Sequence, residues 1–113
     1  MLDKAGKGLT KATAEDVKAS IDKKEKMVIL DVRGANEYAA GHLPGAINVP
    51  RGLLEFKVFT AVPDQNMKIY VHCKTGGRAT FATRTLLNLG YKNALWTQLN
   101  YAKWVKAGYP VER

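Results

Sequence analysis

Apolar residues fall in short runs separated by turn residues, and the period of each run names its element. Met27-Val28-Ile29-Leu30-Asp31-Val32 is apolar apart from Asp31, which predicts a strand buried on both faces. Ala46-Ile47-Asn48-Val49 predicts a shorter strand, entered through Pro44-Gly45 and left at Pro50. Lys68 to His72 predicts a third strand after the Pro63-Asp64 turn, and Asn93 to Trp96 a fourth. Helical spacing fills the gaps. Thr13 with Asp16 forms a capping-box pattern before Val17 and Ile21, which share one helix face, and Lys23 to Lys26 closes that helix with a charged turn. Arg78 to Leu89 sets Ala79, Ala82, Leu86 and Leu89 along one side, with Gly90 as its stop. Asn100 to Ala107 predicts a last helix, ended by Gly108 and Pro110. Alternating strands and helices imply an α/β sandwich with a mainly parallel sheet. Residues 1–12, rich in glycine and lysine up to Lys11, are expected to form a flexible arm, and residues 13–113 one domain.

Composition narrows the function classes. With 113 residues, 46% of them hydrophobic and 25% charged, the chain fits a globular domain with its own core. No apolar run approaches the roughly 18 residues of a membrane span. The first ten residues hold no apolar stretch of signal-peptide type, so a cytoplasmic location is expected, with a periplasmic mature chain whose signal was removed as the alternative. A single cysteine, Cys73, excludes a disulfide within the chain and a multi-cysteine zinc site. With His42 and His72 as the only histidines, neither metal nor cofactor is expected. The net charge of +8 favours anionic ligands in general. No nucleic-acid motif or basic stripe interleaved with aromatics accompanies it, so small anions are the expected ligands and nucleic acid is not.

The chemistry concentrates at Cys73-Lys74-Thr75-Gly76-Gly77-Arg78, where a predicted strand ends and a helix is about to begin. In open α/β sheets ligands sit at that carboxyl edge. A strand-to-helix turn with two glycines can aim successive backbone N–H groups at one point, forming an anion nest backed by a helix N-terminus. A thiol centred there has its thiolate stabilised, and Lys74 and Arg78 add positive charge. The same cradle suits a persulfide, whose terminal sulfur is also anionic. The competing reading is a buried structural cysteine, the commonest role of a free thiol. The polar, glycine-rich setting of Cys73 favours a reactive thiol.

Four segments in order carry a family resemblance. Cys73-x-x-Gly76-x-Arg78 after an apolar strand resembles the active loop of the rhodanese family. Asp31-Val32-Arg33 resembles its Asp-Val-Arg. Glu37-Tyr38 followed by Gly41-His42-Leu43-Pro44-Gly45-Ala46 resembles its Glu-[Tyr/Phe]-x-x-Gly-His-[Ile/Leu]-Pro-Gly-Ala stretch. Trp104 through Gly108-Tyr109-Pro110-Val111 resembles its Trp-x-x-x-Gly-[Tyr/Leu]-Pro-Val ending. The resemblance implies a rhodanese-like three-layer sandwich with a mainly parallel five-stranded sheet flanked by helices. It also implies sulfur transfer from a small anionic donor such as thiosulfate or polysulfide, through a persulfide on Cys73, to a thiol, protein or cyanide acceptor. Lys74, Thr75, Gly76, Gly77 and Arg78 would form the cradle. One departure stands out: Leu99-Asn100 replaces the Gly-Gly that the family often carries before its last helix. Related phosphatases and arsenate reductases carry a seven-residue loop, wide enough for a tetrahedral oxyanion. The six residues here suit a single sulfur atom.

Supporting residues admit two readings each. Asp31 and Arg33 either brace the active loop or, for Arg33, steer an anion or pair locally with Glu37; Asp31 and Glu37 are read as scaffold. Arg51 either lines the pocket mouth or is a solvated charge. His42 is read as a hydrogen-bonded structural residue, because attack by an ionised thiol needs no general base. His72 is read as packing, since strand alternation points it away from Cys73. Trp96 and Trp104 are expected to pack. Leu53, Leu54, Phe56 and Phe59 are expected in the core, with an apolar rim for a partner as the alternative. The function expected is that of a sulfurtransferase. The alternatives are a persulfide carrier loaded by a partner protein, and a phosphatase or arsenate reductase.

Overall fold

The computed structural model describes residues 11–50, 53–72, 77–97 and 101–112. Five strands, β1 (Lys11–Ala12), β2 (Val28–Asp31), β3 (Ile47–Asn48), β4 (Ile69–His72) and β5 (Ala94–Thr97), form one sheet in the order β1-β5-β4-β2-β3. Every pairing is parallel. The connections are α1 (Ala14–Asp22), α2 (Ala35–Ala40), α3 (Leu54–Ala61) and α4 (Gly77–Asn88), and α5 (Tyr101–Lys106) follows β5.

The central strands explain the apolar runs. β2 and β4 pair in register from Val28 with Ile69 to Asp31 with His72. Alternate residues feed opposite faces. Leu30, Ile69 and Val71 join Val58 of α3 and Ala82 and Leu86 of α4 in one core. Ile29 and Tyr70 join Val17 of α1, Leu43 and Trp104 of α5 in the other. Helices therefore cover both faces of the sheet, giving three layers.

Local signals fix the helix ends. Thr13 and Asp16 form the reciprocal capping box: the Thr13 N–H donates to Asp16 Oδ2 at 2.9 Å and the Asp16 N–H to Thr13 Oγ1 at 3.1 Å. Gly90, at φ +99°, turns the chain out of α4, and the Tyr91 N–H donates back to the Leu86 carbonyl at 2.9 Å.

Three features differ from the sequence expectations. Lys11 and Ala12, assigned to the arm, form the edge strand β1 against Trp96 and Thr97; pairing with β5, not local propensity, makes them a strand. Helices α2 and α3 carry no full apolar stripe and go unread. Leu53, Phe56 and Phe59, expected in the core, are 41%, 83% and 46% exposed, and of the four only Leu54 is buried. The inward face of α3 is Leu54 and Val58, one helical turn apart, which turns Phe56 to the opposite side.

Candidate active site

Because all strands run parallel, Asp31, Asn48, His72 and Thr97 end at one edge of the sheet. The chain leaves β4 at His72, one residue before Cys73, and enters α4 at Gly77. Cys73, Lys74, Thr75, Gly76 and Arg51 lie outside the described residues, as do Leu99 and Asn100. Gly77 and Arg78 open α4, a helix of twelve residues with no acid in its first turn. The positive end of its dipole is therefore not neutralised from within that turn.

A buried charge cluster supports this edge from β2. The Arg33 Nε lies 3.0 Å from both carboxylate oxygens of Asp31, and Nη2 donates to Oδ2 at 2.7 Å. The Arg33 backbone N–H adds a bond to Oδ1 at 2.9 Å, and Nη2 also donates to the Gly41 carbonyl at 2.6 Å. The guanidinium carbon sits 4.4 Å from the ring centre of Tyr101, the first residue of α5. Burial works against the Arg33 charge, but the Asp31 hydrogen bonds and Coulomb attraction outweigh it, so its pKa is raised. Arg33 is 3% exposed. Its Nε and Nη2 are directed to Asp31 and Gly41. Its ion pair is with Asp31, two residues away, and Glu37 adds a weaker Coulomb attraction.

His72 is buried on the same side of the sheet, with Nε2 3.5 Å from Asp31 Oδ2. Its carbonyl accepts the Val32 N–H at 3.0 Å, extending the β2–β4 ladder to the exit of both strands. Asn48, which the sequence reading passes over, donates from Nδ2 to the carbonyls of Asp31 and Arg33, both at 3.0 Å. Thr97 Oγ1 donates to the Val71 carbonyl at 2.7 Å, tying β5 to β4 next to its end.

Glu37 and His42 hold the segment that follows Arg33. Glu37 Oε1 accepts the Gly34 N–H at 3.0 Å and caps α2. His42 stacks on Tyr38 with ring centres 3.8 Å apart, and its Nδ1 lies 2.9 Å from the Tyr38 carbonyl. A carbonyl only accepts, so the proton is on Nδ1. The His42 backbone exchanges hydrogen bonds with Glu112 at 2.9 and 2.8 Å. Glu112 Oε1 also accepts the Gly45 N–H at 2.8 Å. Glu112 thus clamps the carboxyl-terminal end to the Gly41–Gly45 turn, a role no local sequence signal announces.

The rhodanese-like domain family model matches residues 13–107, and the chain belongs to that family. YrkF of Bacillus subtilis, which its name gives as a candidate sulfur carrier protein, is 35% identical over 81 residues, 72% of this chain and 43% of YrkF. The chain thus spans less than half the length of that relative. Thiosulfate sulfurtransferase 16, chloroplastic, of Arabidopsis thaliana is 34% identical over 93 residues, covering 74% of this chain and 78% of the plant protein. A solved structure of a Rhodopseudomonas palustris protein of unknown function, described as a possible tyrosine phosphatase, superposes with a TM-score of 0.88. It is 27% identical, over 98% of this chain and 90% of the other. Among the described residues, no helix is long and apolar enough to cross a membrane.

Proposed function

We propose that the chain is a sulfurtransferase that carries sulfane sulfur on Cys73. The observation that supports this reading is that the six-residue motif Cys73–Arg78 begins directly after β4 ends at His72 and runs into the first two residues of α4, in a chain of the rhodanese-like family. Thiosulfate and polysulfides are the proposed donors. The Cys73 thiolate attacks the outer sulfur of thiosulfate, the S–S bond breaks with its electron pair leaving on sulfite, and Cys73 is left as the persulfide anion. An acceptor, cyanide in vitro or a thiol in the cell, then attacks the terminal sulfur and releases the thiolate. Two half-reactions sharing one enzyme-bound intermediate give ping-pong kinetics. The amino end of α4, with no acid in its first turn, and the positive charges of Lys74 and Arg78 favour the thiolate and the persulfide alike. Asp31 and Arg33 act as the brace behind this edge.

A second reading, a carrier loaded by a partner protein with little turnover on small donors, is favoured by the likeness to YrkF. A phosphatase reading finds support in the description of the Rhodopseudomonas protein, but the six-residue segment argues against a tetrahedral oxyanion. Intact mass after incubation with thiosulfate, then polysulfide, then cyanide, together with a phosphate-ester hydrolysis assay, separates the three. Gain of about one sulfur atom, reversed by cyanide and missing in Cys73→Ser, is expected. No gain from either small donor points to the carrier. Phosphate-ester hydrolysis without sulfur loading points to the phosphatase.

A further inference from the structure

The solvent face of α3 is unlike that of an ordinary surface helix. Leu53, Phe56 and Phe59 follow one another at three-residue steps and are 41%, 83% and 46% exposed, while the helix already satisfies the core with Leu54 and Val58. Phe81, 42% exposed, stands on α4, which packs on the same face of the sheet. Single exposed apolar residues are normal, but three large ones on two helices of one face, with Leu53 at the start of α3 beside them, mark an interaction surface. The topology relates this surface to the site. Both α3 and α4 are crossover helices that start from the carboxyl edge of a parallel sheet, so Leu53, Phe56 and Phe81 lie in the turns nearest the edge where Cys73 follows β4. A protein that brings a thiol to Cys73 has to cover the ground beside it. The charge of the surface selects the partner: beyond the first turn of α4 that follows the Cys73 loop, the two helices carry Lys57 and Arg84 against Glu55 alone, within a chain of net charge +8. Complementary charge raises the rate of encounter, and buried aromatics hold the complex.

We propose that the Leu53, Phe56, Phe59 and Phe81 face of α3 and α4 docks an acidic thiol protein that exchanges sulfur with Cys73. This inference rests on the sulfur-transfer reading and names its partner class.

The test uses the whole chain, loaded with thiosulfate and then discharged either to cyanide or to reduced thioredoxin, an acidic thiol protein, as the probe. Phe56→Ser is expected to leave loading and cyanide discharge within about twofold of wild type and to slow discharge to thioredoxin about tenfold. Lys57→Glu is expected to slow the thioredoxin step roughly threefold, an effect that added salt erases. Thioredoxin discharge at the wild-type rate in Phe56→Ser would overturn the docking surface. So would a wild-type protein that transfers to thioredoxin no faster than to an equal concentration of glutathione. A chain that never loads sulfur on Cys73 removes the sulfur-transfer reading itself, and the docking face falls with it.

Discussion

The guanidinium of Arg33 lies across the carboxylate of Asp31, with Nη2 2.7 Å from Oδ2, and both side chains are buried. The pair joins the end of β2 to the Gly41 carbonyl and, through Tyr101, to the first turn of α5. Two charges removed from water stabilise a fold only when each is compensated. Asp31→Asn keeps the shape but leaves Arg33 charged and buried without its counter-ion. It is expected to lower the unfolding free energy by about 3–5 kcal/mol, measured by urea denaturation. Arg33→Met should cost a comparable amount, and the double variant less than the sum of the two singles. Additive losses would mean that the two side chains act independently.

A second ion pair makes the stability depend on pH at both ends. Lys68 Nζ lies 2.7 Å from Glu25 Oε2, and Ser20 Oγ donates to Glu25 Oε1 at 2.8 Å. The Lys68 hydrogen bond, then that of Ser20, lowers the Glu25 pKa. Glu25 in turn, followed by Tyr70, raises that of Lys68. A carboxylate with a depressed folded pKa contributes stability that is fully present above its ordinary range and lost as pH falls through the depressed value. A lysine with a raised folded pKa contributes stability present below its ordinary range and lost as pH rises through the raised value. Denaturation midpoints should therefore fall on both flanks. Glu25→Gln should flatten part of each slope and leave neutral pH little changed, as expected of a half-exposed pair. Unchanged slopes in that variant would assign the pH dependence to other groups.

The parts of the fold readable from sequence are those whose signal is local. The β2 run reads as a doubly buried strand because both its faces are covered, and Thr13 with Asp16 reads as a helix start because both hydrogen bonds lie within four residues. The parts that escape reading depend on distant chain. Lys11–Ala12 is a strand only because β5 pairs with it. Helix α2 buries no residue and so shows no stripe. Phe56 and Phe59 look like core by type, and only the packing of Leu54 and Val58 turns them outward. The candidate site divides the same way. Cys73 to Arg78 is a contiguous motif and announces itself. Asn48 and Glu112 act on backbone groups 15 to 67 residues away, where no spacing rule reaches.

Two glycines with left-handed backbone should tolerate alanine unequally. Gly90 has φ +99°, and an added Cβ would stand 2.9 Å from Gln65 Nε2, the group that donates to the Leu89 carbonyl at 2.9 Å. Gly108 has φ +80° with nothing within 4 Å of such a Cβ. Gly108→Ala is expected to lose only the backbone term, about 1 kcal/mol. Gly90→Ala should lose that and displace Gln65 as well, for about 1–2 kcal/mol. Thermal unfolding of both variants gives the order, and equal losses would show that the Gln65 bond contributes nothing.

Asn48 gives the most direct test of whether the strand ends support the proposed chemistry. Its Nδ2 donates to the carbonyls of Asp31 and Arg33 and so holds the exit of β2, where the Asp31–Arg33 pair proposed as the brace sits. Asn48→Asp substitutes an acceptor for the donor and sets a carboxylate against two carbonyl oxygens. Asn48→Ala merely leaves them without it. The aspartate variant is expected to lose about 2–3 kcal/mol and the alanine variant about 1 kcal/mol. If the brace positions the site, discharge of a Cys73 persulfide to cyanide should slow in the same order, under conditions where both variants remain folded. If stability falls while the discharge rate holds, the brace serves the fold alone, and the geometry around Cys73 is set from β4 and α4.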